Sequence, residues 1–218
     1  ALIGVIAYRH STGKDLEKYE ASFFDVFDTQ TQIIGYASSK EQFSEQMSLI
    51  KDKFQYYNDL YDIYHDYEGM NNIKTINDNA GIQPVKVDEE IIELLKLGIT
   101  MDEKTDGNMN IAMGSVLSIW HDYREAGSED PYSAELPPMD ELERAAEHTD
   151  IHNIVIDEEA STVYLTDPDM SLDVGSIGKG YAVQKVAEYA KNELGIQYML
   201  FSVGGNVCAI GGHPDGST

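Results

Sequence analysis

Residues 171–183, Ser-Leu-Asp-Val-Gly-Ser-Ile-Gly-Lys-Gly-Tyr-Ala-Val, contain the side chains best suited to chemistry. A short apolar run ends at Asp173, a glycine-rich turn follows, and Lys179 stands at the mouth of a helix. Glycines let a backbone come close to phosphate oxygens, and the free N–H groups of a helix start favour negative charge. Lys179 adds a cation, while Asp173 is able to hold a hydroxyl, a ring N–H or a metal-bound water. The pattern suits a phosphorylated ligand. A Walker loop is excluded, because the glycines are too close together and no Ser or Thr follows the lysine. A tight strand-to-helix turn with a solvated lysine is the competing reading and stays open at this level.

The elements around this loop follow from hydrophobic spacing. Val183, Val186, Ala187, Ala190 and Leu194 give a helix over 180–194 one apolar face, and strands are expected at 171–174, 197–203 and 207–210. Phe43, Met47, Ile50, Phe54, Tyr57, Tyr61 and Tyr64 step by four and three, which predicts an amphipathic helix of about six turns. Asp88-Glu89-Glu90 opens a second helix, with acidic groups favourable against its dipole. Residues 69–81 read as a loop, 24–37 as one or two strands, and 107–114 as a small-residue turn leading to the apolar stretch around Trp120. Pro131, Pro137 and Pro138 mark a surface excursion before a short helix at Met139–His148, and 153–157 with 162–166 read as a hairpin. The fold class is therefore α+β (mixed α/β). No linker is long enough to separate two domains, so a single domain with a central sheet flanked by helices is expected.

Bulk properties narrow the function. The 218 residues carry a formal charge of −24, which disfavours nucleic acid and anionic lipid alike. The single cysteine, Cys208, lies in an apolar run and reads as a small core residue; the six histidines are scattered, so a zinc site is not expected. Residues 1–8 are apolar but too short to span a bilayer, and the chain does not begin with Met. Residues 1–22 are read as a tether or the remnant of a membrane anchor, with an N-terminal strand as the alternative, and 23–218 as the main domain.

Four segments together resemble one family. Leu172-Asp-Val-Gly-Ser-Ile-Gly-Lys-Gly-Tyr-Ala182, Gly204-Gly205-Asn206, Gly107-Asn-Met-Asn-Ile-Ala-Met-Gly114, and Leu60-Tyr-Asp-Ile-Tyr64 leading to Thr75-Ile-Asn77 are similar to stretches of the FAD:protein FMN transferases, the ApbE family. The resemblance runs from about Phe24 onward and implies an ApbE-like, T-fold-related architecture. It implies transfer of an FMN unit from FAD to a Thr or Ser hydroxyl of an acceptor protein, with AMP leaving and Mg²⁺ assisting. The implied partners are thus FAD and an acceptor protein with a flavinylation segment, and the implied location is extracytoplasmic with a membrane anchor at the N-terminus.

Carried over by position, the resemblance implies that Asp173 and Lys179 contact FAD and take part in the reaction, and that the main-chain carbonyl of Ser176 binds the metal. Phe27, Tyr64, Asn108, Met109 and Asn110 fall at further FAD-contacting positions, and Asn77 at a position able to gate an adenine pocket or cap a helix. The chain departs from the pattern at two of these. Asn110 replaces an aspartate and so loses charge and basicity, while Met109 replaces a phenylalanine but still covers an aromatic face. Residues 211–216 read as a mid-protein turn, and the resemblance implies a further segment with a histidine and the side-chain Asp and Thr of the metal site. Two alternatives remain beside the transferase: hydrolysis of the FAD pyrophosphate to FMN and AMP, and FAD binding without turnover.

Overall fold

The computed structural model describes the backbone of residues 4–12 and, in full, residues 16–217. The chain divides into two compact units, Ala1–Asn58 with Gly178–Thr218, and Asp59–Ile177. Both are mixed α/β, with antiparallel sheets and flanking helices, as the spacing predicts; the division into two units was not legible from linkers.

In the first unit, β1 (Gly4–Thr12), β2 (Leu16–Val26) and β3 (Thr29–Ala37) precede α1 (Lys40–Tyr61). Residues 16–22, expected as part of a tether, instead begin β2, because Tyr19, Ala21 and Phe23 alternate inward with a strand's period of two. Residues 1–3 and 13–15 of that expected tether lie outside the described residues. Phe43, Met47, Ile50, Phe54 and Tyr57 form the buried stripe of α1, and Phe43 stacks on Tyr19 with ring centroids 5.3 Å apart.

The second unit holds α2 (Ile73–Asp78), β4 (Val85–Lys86), α3 (Glu89–Lys104), α4 (Gly114–Glu129), α5 (Met139–Ala146), β5 (Ile154–Asp157) and β6 (Thr162–Leu165). Its sheet has the order β4-β6-β5, so the expected hairpin is present with one extra short strand. Helix α2 occupies the segment read as a loop. Six residues are too few to display a helical period, but Asn72 caps it: its side chain accepts from Thr75 N–H while the Thr75 hydroxyl serves the Asn72 backbone. The fully buried Asn72 amide also donates to the Asp59 and His65 carbonyls.

The chain then returns to the first unit through α6 (Gly178–Asn192), β7 (Met199–Val203) and β8 (Asn206–Ile210), giving a five-stranded sheet in the order β1-β2-β3-β7-β8. Val183, Val186, Ala187 and Ala190 are buried along α6. Phe201 on β7 pairs in register with Ile33 of β3, and its ring meets Phe54 edge-on at 6.2 Å.

Residues 171–174 are not the strand that their apolar character suggested. They belong to neither sheet, and backbone groups of Ser171, Leu172 and Asp173 are met one by one. Gly114 N–H donates to Ser171 C=O (3.1 Å) and Asp173 N–H to Ile111 C=O (2.9 Å). Between them the Asn77 amide donates to Leu172 C=O (3.0 Å) and accepts from Leu172 N–H (2.7 Å). Gly114 has to be a glycine, since a Cβ there would lie 2.6 Å from the Ser171 carbonyl oxygen. Asn77→Ala strands two polar groups of a buried residue and is expected to cost about 2 kcal/mol of stability. Asn77→Asp, keeping only the acceptor, falls between it and the parent. Urea unfolding with an unchanged m-value reads both, and an Asn77→Ala midpoint equal to the parent's contradicts the clamp.

Candidate functional site

Asp173 leaves the clamped segment at the start of a tight turn. One carboxylate oxygen, Oδ1, accepts from Gly175 N–H at 2.8 Å, and the other has no hydrogen bond among the described residues. Gly175 allows that turn at close quarters, because a Cβ there would sit 3.0 Å from the same oxygen. The Asp173 side chain is therefore oriented by its own loop with one oxygen left over, an arrangement suited to receiving a donor from a ligand.

The half-buried Asp173 lines a cavity of about 510 Å³ within the second unit, together with Tyr64, Leu117, Trp120, Arg124 and Leu136. That volume lies in the range of pockets that enclose most of a drug-sized ligand. Trp120 and Leu117 come from the exposed face of α4, and Leu136 from the proline-bounded excursion. Tyr64 lies three residues beyond the end of α1 rather than on the helix. Its segment turns away because Asp62 Oδ1 accepts from the N–H groups of Tyr64 (2.6 Å) and His65 (3.2 Å), an Asx-type turn. Burial first, and then the Asp173 carboxylate, push the Tyr64 phenol above its ordinary pKa, so it remains a neutral donor at physiological pH.

The other sequence-predicted residues fall elsewhere. Asn108, Met109 and Asn110 do not line the cavity. Asn108 donates to Thr105 C=O, and Met109 N–H donates to the Thr105 hydroxyl. Asn110 uses both ends of its amide internally, accepting from Ala112 N–H (2.7 Å) and donating to Thr149 C=O (2.9 Å). An aspartate could not make the second bond, so the departure from the family pattern has a structural use. Asn77 caps no helix; it is the clamp on Leu172.

Ser176 is exposed in the turn before α6. The only group of three metal-competent side chains among the described residues is His148, Asp167 and Asp169, which includes neither Ser176 nor Asp173. Phe27 and Lys179 belong to the first unit. Phe27 sits in the β2–β3 turn with a left-handed φ of 55°, held by Asn58 Oδ1 accepting from its N–H, with its ring edge-on to Phe54. Lys179 lies half-buried in the first turn of α6 and makes no ion pair among the described residues.

A sequence profile of the ApbE family matches residues 27–218. The chain belongs to the ApbE family. Among curated ApbE relatives, the FAD:protein FMN transferase of Klebsiella pneumoniae (strain 342) is 25% identical over 186 residues, covering 85% of this chain and 56% of that protein. The FAD:protein FMN transferase of Treponema pallidum (strain Nichols) is 28% identical over 144 residues, covering 64% and 38%. The chain spans about half the length of the curated relatives it matches. The crystal structure of the ApbE protein from Thermotoga maritima superposes with a TM-score of 0.74 at 25% identity, covering 91% of this chain and 60% of that one. The flavin transferase ApbE from Vibrio cholerae gives 0.74 at 20% identity, covering 92% and 62%. The mixed α/β fold expected from the sequence is thus that of ApbE structures.

Sequence reasoning missed the α4 wall, although His121, Arg124 and Glu125 stand three and four apart, the spacing that brings helical side chains together. It also missed the ion pair upstream of the clamped segment, His148 Nδ1 to Asp167 Oδ2 at 2.9 Å. The Asp167 hydrogen bond, opposed by some desolvation, raises the pKa of His148 above its ordinary 6.5. The same bond and the Asp169 N–H lower that of Asp167 below 3.8. A raised histidine stabilises fully below the unfolded value and loses its effect as pH rises through the folded value; a lowered aspartate loses its effect as pH falls through its own folded value. The pair therefore stabilises most between these two ordinary values. His148→Ala is expected to lower Tm relative to the parent at pH 5.5 and to converge with it by pH 9. A Tm difference independent of pH contradicts this.

Proposed function

We propose that this chain is the FAD-binding portion of an FMN transferase that flavinylates an acceptor protein. The observation that carries the reading is that Asp173 and Tyr64, far apart in sequence, line one cavity, with Asp173 presented by a segment whose backbone is fixed residue by residue. Family membership and the names of the relatives support it.

In the reaction, a Thr or Ser hydroxyl oxygen of the acceptor forms a new bond to the FMN-side phosphorus. The P–O bond to AMP breaks, AMP leaves with the electron pair, and the hydroxyl proton is released to a base or to solvent. Positioning and charge stabilisation dominate such transfers. In this chain Asp173 orients the ligand through its unengaged oxygen, Tyr64 supplies a ring face and a neutral phenol, and Lys179 offers a cation. Mg²⁺ enters the reading through family resemblance, with the Ser176 carbonyl as its one assigned ligand here. Extracytoplasmic location with an N-terminal anchor belongs to the same proposal.

Mass spectrometry tests it. The protein is incubated with FAD, Mg²⁺ and a domain carrying an acceptor segment, and a gain of one FMN unit on that domain with release of AMP is expected. Free FMN and AMP with an unmodified acceptor would establish the hydrolase instead. Loss of a hydrogen bond to a charged group makes Asp173→Asn weaken FAD binding about 10- to 100-fold without lowering Tm. A collapse of stability in that variant would make Asp173 a turn residue only.

A further inference from the structure

The Tyr64 ring is a cavity wall, yet it is 54% exposed, and from its own segment the His65 ring meets it edge-on at 6.4 Å. Its backbone is held by Asp62, but the ring can rotate about its side-chain bonds unless something covers one face. That cover is His121 of α4, whose imidazole stacks on the phenol with centroids 5.1 Å apart and planes inclined by 30°.

The imidazole is itself held by a hydrogen bond. Arg124 Nη2 lies 2.7 Å from His121 Nδ1, and Glu125 Oε1 lies 3.1 Å from Nε2 as a charge neighbour without a hydrogen bond. A guanidinium can only donate, so Nδ1 accepts, and the proton of the neutral ring then sits on Nε2. Both partners come from the next turn of the same helix, at i+3 and i+4, where side chains of a helix meet. The Tyr64 hydroxyl stands 3.5 Å from the same Nδ1, at the outer limit of a contact, so stacking rather than hydrogen bonding joins the two rings.

We propose that His121 is a positioning residue: held by its hydrogen bond from Arg124, it sets the Tyr64 ring at the angle at which that ring packs against the planar part of the ligand. The inference rests on the FAD reading of the cavity. His121 lines the same cavity beside Tyr64, and its positioning part is separate from any contact of its own. It acts by removing rotational freedom from a half-exposed aromatic wall before binding, so that less ordering remains to be done on binding. Phenylalanine at this position keeps the stacking face and loses the lock; alanine loses both.

The test combines FAD titration with NMR of the tyrosine ring on the same chain. In the parent, a ring-to-ring nuclear Overhauser effect between Tyr64 and His121 is expected, together with saturable FAD binding. Aromatic pairing energies predict that His121→Ala raises the Kd for FAD about tenfold, while His121→Phe stays within about threefold of the parent. Thermal unfolding is expected to change little in either. Arg124→Met, which frees the imidazole without altering either ring but also removes a cavity-lining cation, is read by the Overhauser effect on the FAD-free chain, which is expected to weaken; an undiminished effect overturns the lock, and this keeps the proposal testable if His121→Ala folds poorly. Equal FAD affinity in parent and His121→Ala overturns the positioning role and leaves the FAD reading intact. A loss in His121→Phe as large as in His121→Ala also overturns it, since stacking would then not be the operative contact. A parent chain that shows the Overhauser effect but does not bind FAD removes the ligand reading, and the proposal with it.

Discussion

Two hydrogen bonds between the Asn77 amide and the Leu172 backbone fix the segment on which the candidate site depends. A stretch of extended chain is ordinarily satisfied by a neighbouring strand, which fixes all its residues through a common ladder. Here no ladder exists. A side-chain amide mimics a peptide group on Leu172, while Ile111 and Gly114 serve the flanking residues from the start of α4. The result binds three sequence-distant pieces, α2, residues 111–114 and residues 171–173, into one local frame. Asp173 emerges from that frame with its direction settled by the backbone on one side and Gly175 on the other.

The cavity beside it combines an apolar wall with Arg124 and two carboxylates, Asp173 and Glu135. Arg124 is engaged by His121, and Tyr64 is kept protonated by burial and by the Asp173 carboxylate. Such a cavity favours a flat, uncharged ring over a bare phosphate, which the acidic residues of a chain of charge −24 would repel. The ring end of a dinucleotide matches these demands, in keeping with the function proposed above.

Much of this was legible in the sequence where a period repeated often enough. The α1 stripe is long, and its five central residues are fully buried as the spacing requires. The same stripe misplaced Tyr64, because the four-and-three stepping continues numerically past the point where Asp62 bends the backbone away. Residues 171–174 look like a strand because they form a short apolar run; nothing local reveals that their partners are a turn and an asparagine. Helix α2 was invisible because its cap, rather than its period, defines it. At Asn110 the substitution looked like a loss of chemistry, whereas the amide donates where an aspartate could not. The α4 wall escaped notice because aromatic and charged residues at helical spacing ordinarily mark a solvated face, and only the position of Tyr64 turns that face into the side of a cavity.

A crystal structure of this chain grown with FAD and Mg²⁺ decides whether the cavity beside Asp173 receives the ligand. One planar ring of FAD is expected inside the cavity, packed against Tyr64 and within hydrogen-bonding distance of the Asp173 oxygen not engaged by Gly175, with residues 171–173 unmoved. FAD bound away from Asp173 with the cavity empty, or bound only after the Asn77–Leu172 pairing had broken, would contradict it.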